Sequence, residues 1–127
     1  MINQNQNSKT KSKNFDLEER TAKFGEAIII FCQKIRKDEI TKILISQVVR
    51  SATSVGANYM EANGADSKKD FRNKISICKK EAKETMHWLR MLAGAIPENK
   101  EKIRLLWKEA HELALIFGKI ARKTKSP

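Results

Sequence analysis

Apolar residues recur at alternating spacings of three and four along two long stretches, and little else in the chain competes with that rhythm. Phe71, Ile75, Cys78, Ala82, Thr85, Leu89 and Leu92 hold it over the first stretch. Ile103, Leu106, Ala110, Leu113, Phe117 and Ile120 hold it over the second. A repeat averaging about 3.5 residues keeps one seam of a helix against a partner helix. Two further stretches carry helical stripes: Leu17, Phe24, Ile28, Phe31 and Ile35 within 16–37, and Ile40, Ile43, Leu44, Val48, Ala52, Val55 and Tyr59 within 39–62. Breaks fall at Lys37-Asp38, at Asn63-Gly64-Ala65-Asp66, and between Gly94 and Pro97. Ser67 has the character of an N-cap, with Asp70 three residues on as a capping-box-like partner.

Helices of about 22 to 28 residues are on the order of 33–42 Å long at ~1.5 Å per residue. Links of roughly two to six residues let such helices do only one thing, which is to double back on their neighbours. The expected fold is therefore all-α, an antiparallel up-down-up-down four-helix bundle over 15–123. The polar stretch 1–14 lacks periodicity and reads as a disordered tail carrying Lys9, Lys11 and Lys13; 124–127 reads as a short basic tail.

At 127 residues the chain can hold a core without disulfides or a structural metal. Its longest uncharged apolar run, Ala27 to Cys32, falls far short of the roughly 20 residues that a membrane span needs. The polar start lacks the apolar stretch of a secretory signal, so a cytoplasmic location is expected and no membrane partner. Cys32 and Cys78 lie inside apolar helical stretches without CxxC spacing, and read as small buried hydrophobes.

The 26 Lys and Arg against 15 Asp and Glu are unevenly spread. Residues 67–94 hold eight cations against three carboxylates, and 95–127 hold eight against four, whereas 38–66 hold two against four. On the third helix Lys69, Arg72, Lys79, Lys83 and Arg90 fall on one stripe beside the apolar seam. That makes a basic ridge about 30 Å long at ~1.5 Å per residue. Such a ridge suits a phosphate backbone, whose neutralisation releases condensed counterions. It also suits an acidic protein partner, or a solvated face kept soluble by like charge. No aromatic residues interleave the ridge, so it is not a stacking platform for single strands.

Ile77, Trp88 and Met91 on the third helix, and Leu105, Trp107, Leu115 and Ile116 on the fourth, lie partly off the seams. Clustered on adjacent helices, such residues mark a subunit interface; the candidates are Ile77, Trp88, Met91, Leu105 and Trp107. The run Ser51-Ala52-Thr53-Ser54-Val55-Gly56-Ala57-Asn58 sacrifices helix propensity, which points to a close helix approach, within or between subunits. Arg50, Asn58 and Glu61 share a similar face and could form a polar network.

The third helix contains Glu84-Thr85-Met86-His87, an ExxH spacing of the type used by di-iron bundles. A second ExxH is missing: Glu109-Ala110-His111-Glu112 has the wrong spacing. No nucleophile elbow, Gly-rich phosphate loop or Cys/His zinc spacing occurs. A non-enzyme without cofactor, metal or catalytic residues is expected.

The signature Arg50 to Asn58, then Glu61-Ala62, Ser67-Lys68-Lys69-Asp70-Phe71 and Lys80 to Leu89, resembles the 23S rRNA-intervening sequence protein family, also called the four helix bundle protein family. The resemblance runs from about Phe15 to Phe117. It implies a bacterial cytoplasmic bundle, some relatives being encoded within insertions of large-subunit ribosomal RNA genes. A related group, the accessory variability protein of diversity-generating retroelements, forms a five-membered basic barrel that binds nucleic acid and a reverse transcriptase. By that resemblance a homo-pentamer is expected, and the family supplies no catalytic residues to carry over. The combined expectation is a non-catalytic oligomer binding RNA or DNA non-specifically through Lys69, Arg72, Lys79, Lys83 and Arg90, accessory to an enzyme such as a reverse transcriptase. The alternative is a scaffold that docks an acidic protein without nucleic acid.

Overall fold

In the computed structural model, which describes residues 12–124 with side chains from residue 17 on, four helices run in succession: α1 (Ser12–Lys34), α2 (Glu39–Asn63), α3 (Lys68–Ala95) and α4 (Lys100–Lys123). A single 3₁₀ turn, Pro97–Asn99, leads into α4. Consecutive helices pack against each other, and α1 also meets α4 along a thinner contact; among the described residues the backbones of the diagonal pairs stay apart, and α2 and α4 meet only through side chains in the core. That is the up-down-up-down bundle that the short links demand. Helix α1 begins four residues ahead of the expected Asp16. The expected polar tail falls mostly on residues 1–11, and the basic tail on 125–127, outside the described residues.

The caps explain where the helices start. Asp38 accepts from the backbone amides of Ile40 and Thr41 at 2.9 Å each, and the Asp38 amide donates to Thr41 Oγ1 at 2.8 Å, a reciprocal capping box. Ser67 Oγ accepts from the Asp70 amide at 3.0 Å and opens α3. Arg36 ties the two links at one end of the bundle together. Its guanidinium reaches Asp38 at 2.7 Å beside it, and across the bundle Glu98 at 3.0 Å and the Ala95 carbonyl at 2.8 Å.

The core is the set of seams. Leu17, Phe24, Ile28 and Phe31 are buried from α1 with Ile35 just past its end, and Ile75, Cys78, Ala82, Leu89 and Leu92 from α3. Tyr59 and Phe117 meet ring against ring, with centroids 5.6 Å apart. Helix α2 departs from its expected stripe: Ile40 and Ile43 are 61% and 62% exposed. The buried series Val48, Val55, Tyr59 and Ala62 extrapolates backward to Leu44 and Thr41 instead. Ile40 and Ile43 each stand one position off that line, about 100° around the helix.

The small-residue run of α2 meets α1 within the same chain. A methyl at Gly56 would stand 3.2 Å from Thr21 Oγ1, and one at Gly25 would stand 3.5 Å from Thr53 Cγ2. The two backbones approach closely because neither helix places bulk at this crossing.

Candidate nucleic-acid interface

Helix α3 has three distinct flanks, and charge is sorted among them. Its buried stripe faces the core. Its α2-facing flank carries Lys74, Glu81 and Glu84, all engaged: Lys74 pairs with Glu61 at 2.6 Å, while Arg50 of α2 bridges Glu81 at 3.3 Å and Glu84. Trp88 Nε1 adds a hydrogen bond to Glu84 at 2.9 Å. The third flank, bordering α4, carries Lys69, Arg72, Lys79, Lys83 and Arg90. At ~100° per residue these five cluster on the side of the helix turned away from Glu81 and Lys74.

None of the five ridge cations has a carboxylate within ion-pair distance among the described residues. Two of the three carboxylates of α3, Glu81 and Glu84, are turned toward α2 and held by Arg50. Lys69, Lys83 and Arg90 are exposed; Arg72 and Lys79 are half-buried against α4. Arg72 donates from Nη1 to the Thr124 carbonyl at 3.3 Å. The Lys79 stem lies over Gly118 of α4, with Cδ and Cε both 3.7 Å from where a β-carbon would be.

Gly118 and Arg122 of α4 belong to this face and are not visible as such in the sequence. They enter because α4 presents one turn of helix, glycine and then arginine, against Lys79 and Arg72. A cleft of about 500 Å³ results, lined by Arg72, Asn73, Ser76, Lys79, Gly118 and Arg122. The opposite side of the bundle has the reverse character. A cavity of about 380 Å³ between α1 and α2 is bordered by Glu18, Glu19 and Glu26. Charge is thus unevenly divided: residues 67–127, which form the α3–α4 side, hold 16 cations against 7 carboxylates, whereas 15–66 hold 7 against 8.

The apolar interface candidates do not form one patch. Ile77, Trp88 and Trp107 are half-buried, and the two tryptophans pack on the core. Met91 is 37% and Leu105 67% exposed, on different helices. Leu105 lines the groove toward α1, about 200° around α4 from Trp107 at ~100° per residue. Further large apolar residues are open to solvent at Ile29, Ile30, Met60 and Leu115.

Arg50, Asn58 and Glu61 share the α3-facing flank of α2 without joining into a network. Arg50 goes to Glu81 and Glu84, Glu61 to Lys74, and Asn58 Nδ2 back to the Ser54 carbonyl at 2.8 Å. The ExxH carboxylate, Glu84, is consumed by Arg50 and Trp88. Among the described residues no three His, Cys, Asp or Glu side chains gather as a metal site, and no helix is long and apolar enough to cross a membrane.

Comparison with known proteins agrees with this architecture. No curated protein matches the chain significantly. Among solved structures, the chain is similar to a protein of unknown function from the S23 ribosomal protein family of Bacteroides thetaiotaomicron VPI-5482. The two are 28% identical, with a TM-score of 0.77, over 87% of this chain and 98% of that one. The sequence model of one family, described as the 23S rRNA-intervening sequence protein, matches residues 13–119. That span takes in α2, α3 and nearly all of α1 and α4, with the paired α2–α3 flank and the basic ridge, and the chain belongs to the 23S rRNA-intervening sequence protein family.

Proposed function

We propose that this bundle is a non-catalytic nucleic-acid-binding protein that contacts RNA or DNA through the basic side of α3 and α4. The observation that carries the reading is the contrast between the two flanks of α3. The α2-facing cations and carboxylates satisfy one another, whereas Lys69, Arg72, Lys79, Lys83 and Arg90 are left without carboxylate partners among the described residues. Unpaired cations spaced along one helix are free to displace the counterions condensed on a phosphate backbone, which is the main source of sequence-independent affinity. No base-reading element accompanies them, so binding is non-specific.

The protein acts as a homo-oligomer, a pentamer by its resemblance to the retroelement accessory protein, and serves a nucleic-acid enzyme such as a reverse transcriptase in the cytoplasm. Exposed Ile29, Ile30, Ile40, Ile43, Met60 and Leu105 support self-association. A ring would repeat the ridge once per subunit and raise avidity for a long polyanion.

Electrophoretic mobility shift against salt tests the reading. Retardation of RNA or DNA is expected at about 50 mM salt, fading steeply toward about 200 mM. Lys79→Glu with Lys83→Glu should abolish it. Failure to bind at the lower salt, or binding indifferent to both reversals, overturns the proposal. Light scattering tests the assembly, and a strict monomer excludes the ring.

A further inference from the structure

The cleft between α3 and α4 holds three cations and no carboxylate. Arg72, Lys79 and Arg122 converge on it, with Ser76 and Asn73 as its neutral polar lining. Its floor is Gly118, which is buried. A β-carbon at that position would stand 3.6 Å from Arg122 Nη1 and 3.7 Å from the Lys79 stem, so two cationic side chains fold over the one residue that has no side chain. Like charges brought together in this way repel, and nothing among the described residues neutralises them.

We propose that this cleft seats one phosphate group, with Arg72, Lys79 and Arg122 as its ligands and Gly118 as the floor beneath it. The guanidinium of Arg72 is held in place by Nη1 donating to the Thr124 carbonyl at 3.3 Å, while Nε and Nη2 have no partner among the described residues. A planar fork fixed at one corner is preorganised for paired hydrogen bonds to a tetrahedral oxyanion. Arg122 supplies a second fork from the facing helix, and Lys79 a point charge between them. Ser76 adds a hydroxyl donor at the rim. One feature of the fold opposes the anion: the C-terminal carbonyls of α4 carry negative partial charge. The Arg72 contact with Thr124 offsets that charge at the point where α4 borders the cleft.

At about 500 Å³ the cleft is wider than a bare oxyanion requires, with room for a phosphate and the sugar attached to it. The same chemistry is offered by a phosphate of a nucleic-acid backbone and by free inorganic phosphate. The proposal draws on the nucleic-acid reading above only for the first of these sources. Lys83 and Arg90 continue along α3 beyond the cleft, so a strand anchored there would run along the ridge.

The test uses the full chain in two titrations. Inorganic phosphate is followed by amide chemical shifts, and a labelled single-stranded RNA by fluorescence anisotropy. Gly118→Leu fills the cleft and leaves the net charge unchanged. Arg122→Gln removes one ligand from an exposed position where the fold does not depend on it. Lys42→Gln removes the same charge from a remote point on α2, and circular dichroism verifies that each variant is folded.

Phosphate is expected to shift the amides around Ser76, Lys79, Gly118 and Arg122. Gly118→Leu and Arg122→Gln should each erase those shifts and weaken RNA binding roughly tenfold or more, the scale of a lost charge-assisted contact. Lys42→Gln should leave both readouts as they were. Phosphate shifts at the cleft in a protein that binds no RNA keep the phosphate site and discard the nucleic-acid reading. RNA binding that survives both cleft variants does the reverse, as do phosphate shifts spread evenly over all the lysines.

Discussion

The hydroxyl of Thr85 lies 2.9 Å from that of Ser51, a polar contact set into the otherwise apolar seam between α2 and α3. Both residues are fully buried. Thr85 Oγ1 is also 2.8 Å from the Glu81 carbonyl, and Ser51 Oγ is 3.3 Å from that of Val48. A single hydroxyl proton serves one acceptor at a time, so the pair works as a unit with its two backbone carbonyls. Thr85→Val keeps the shape and removes one donor, with an expected loss of about 1 kcal/mol. Ser51→Ala should cost a similar amount. The double variant should lose less than the sum, since removing both hydroxyls leaves neither without its mate. Urea denaturation of the four proteins checks this, and strict additivity would show the contact to be incidental.

Gly56 marks a closer approach between α1 and α2 than Gly25 does. The space a side chain would need is taken by Thr21, whose Oγ1 is fixed by a 2.7 Å hydrogen bond to the Leu17 carbonyl. Thr21 is β-branched and buried, so it has little freedom to move aside. Gly56→Leu should destabilise the bundle by about 1–3 kcal/mol through overpacking, despite leucine's better helix propensity. The same change at Gly94, where nothing lies within 4 Å, should leave stability equal or raise it. Thermal melting of the two variants separates crowding from propensity.

Those two contacts mark where sequence reading stops. Seams of alternating three and four are visible in the sequence because helix geometry alone turns spacing into a face; α1, α3 and α4 turn the selected residues inward, with Phe71, Leu106 and Ile120 only half-buried against the core. The small run of α2 signals close approach but does not name the partner, because many helices could fit against it; only the tertiary arrangement selects Thr21. Ile40 and Ile43 mislead for a related reason. Apolar character extends past the edge of the seam, and only the register fixed by the Asp38–Thr41 cap shows which residues stay outside. The ridge is periodic and therefore legible. Gly118 and Arg122 become part of it through pairing of α3 with α4, which no local pattern encodes.

The two thiols should be chemically silent in the folded protein. Burial pushes Cys32 up to about 11 and Cys78 up to about 12. The Cys78 thiol lies 3.5 Å from the Val55 carbonyl as a donor. A thiol reagent at mildly alkaline pH should leave both unmodified until the chain unfolds, after which both react. The linkage has a definite sign. Above about pH 8.5 the unfolded chain releases thiol protons that the native state retains, so stability should fall as pH rises from there toward the native values. Each thiol contributes a slope of up to about 1.4 kcal/mol per pH unit in that range. Cys78→Ala should reduce the slope, and rapid labelling of the native protein would contradict the assigned burial.

Arg20 is the principal polar link across the thin α1–α4 contact. Its Nε and Nη2 take the Glu109 carboxylate at 2.7 and 2.8 Å, and Nη2 also reaches Glu112 at 2.8 Å. A lysine cannot reproduce that two-pronged geometry, so Arg20→Lys should cost up to about 1 kcal/mol, discounted because both partners are about one-third exposed to screening solvent. Hydrogen exchange should accelerate in the first half of α1 and leave α2 and α3 unchanged. Raising the salt concentration should shrink the difference between variant and parent; a difference independent of salt would assign the effect to packing of the arginine stem.

Cations on the two flanks of α3 should contribute unequally to nucleic-acid binding. Lys74 is engaged by Glu61 at 2.6 Å, whereas Lys83 is exposed with no carboxylate partner among the described residues. The substitutions Lys74→Gln and Lys83→Gln remove equal charge from positions nine residues apart on one helix. A uniform electrostatic attraction would respond equally to both. A ridge that meets phosphates directly responds to Lys83 alone: affinity falls, and the slope of log affinity against log salt drops by about 0.7 to 0.9, the counterion equivalent of one phosphate contact. Lys74→Gln should leave that slope unchanged, because the lysine it removes was already neutralised by α2. Equal slopes for the two variants would mean that net charge, and not the sorting of charge between flanks, governs binding.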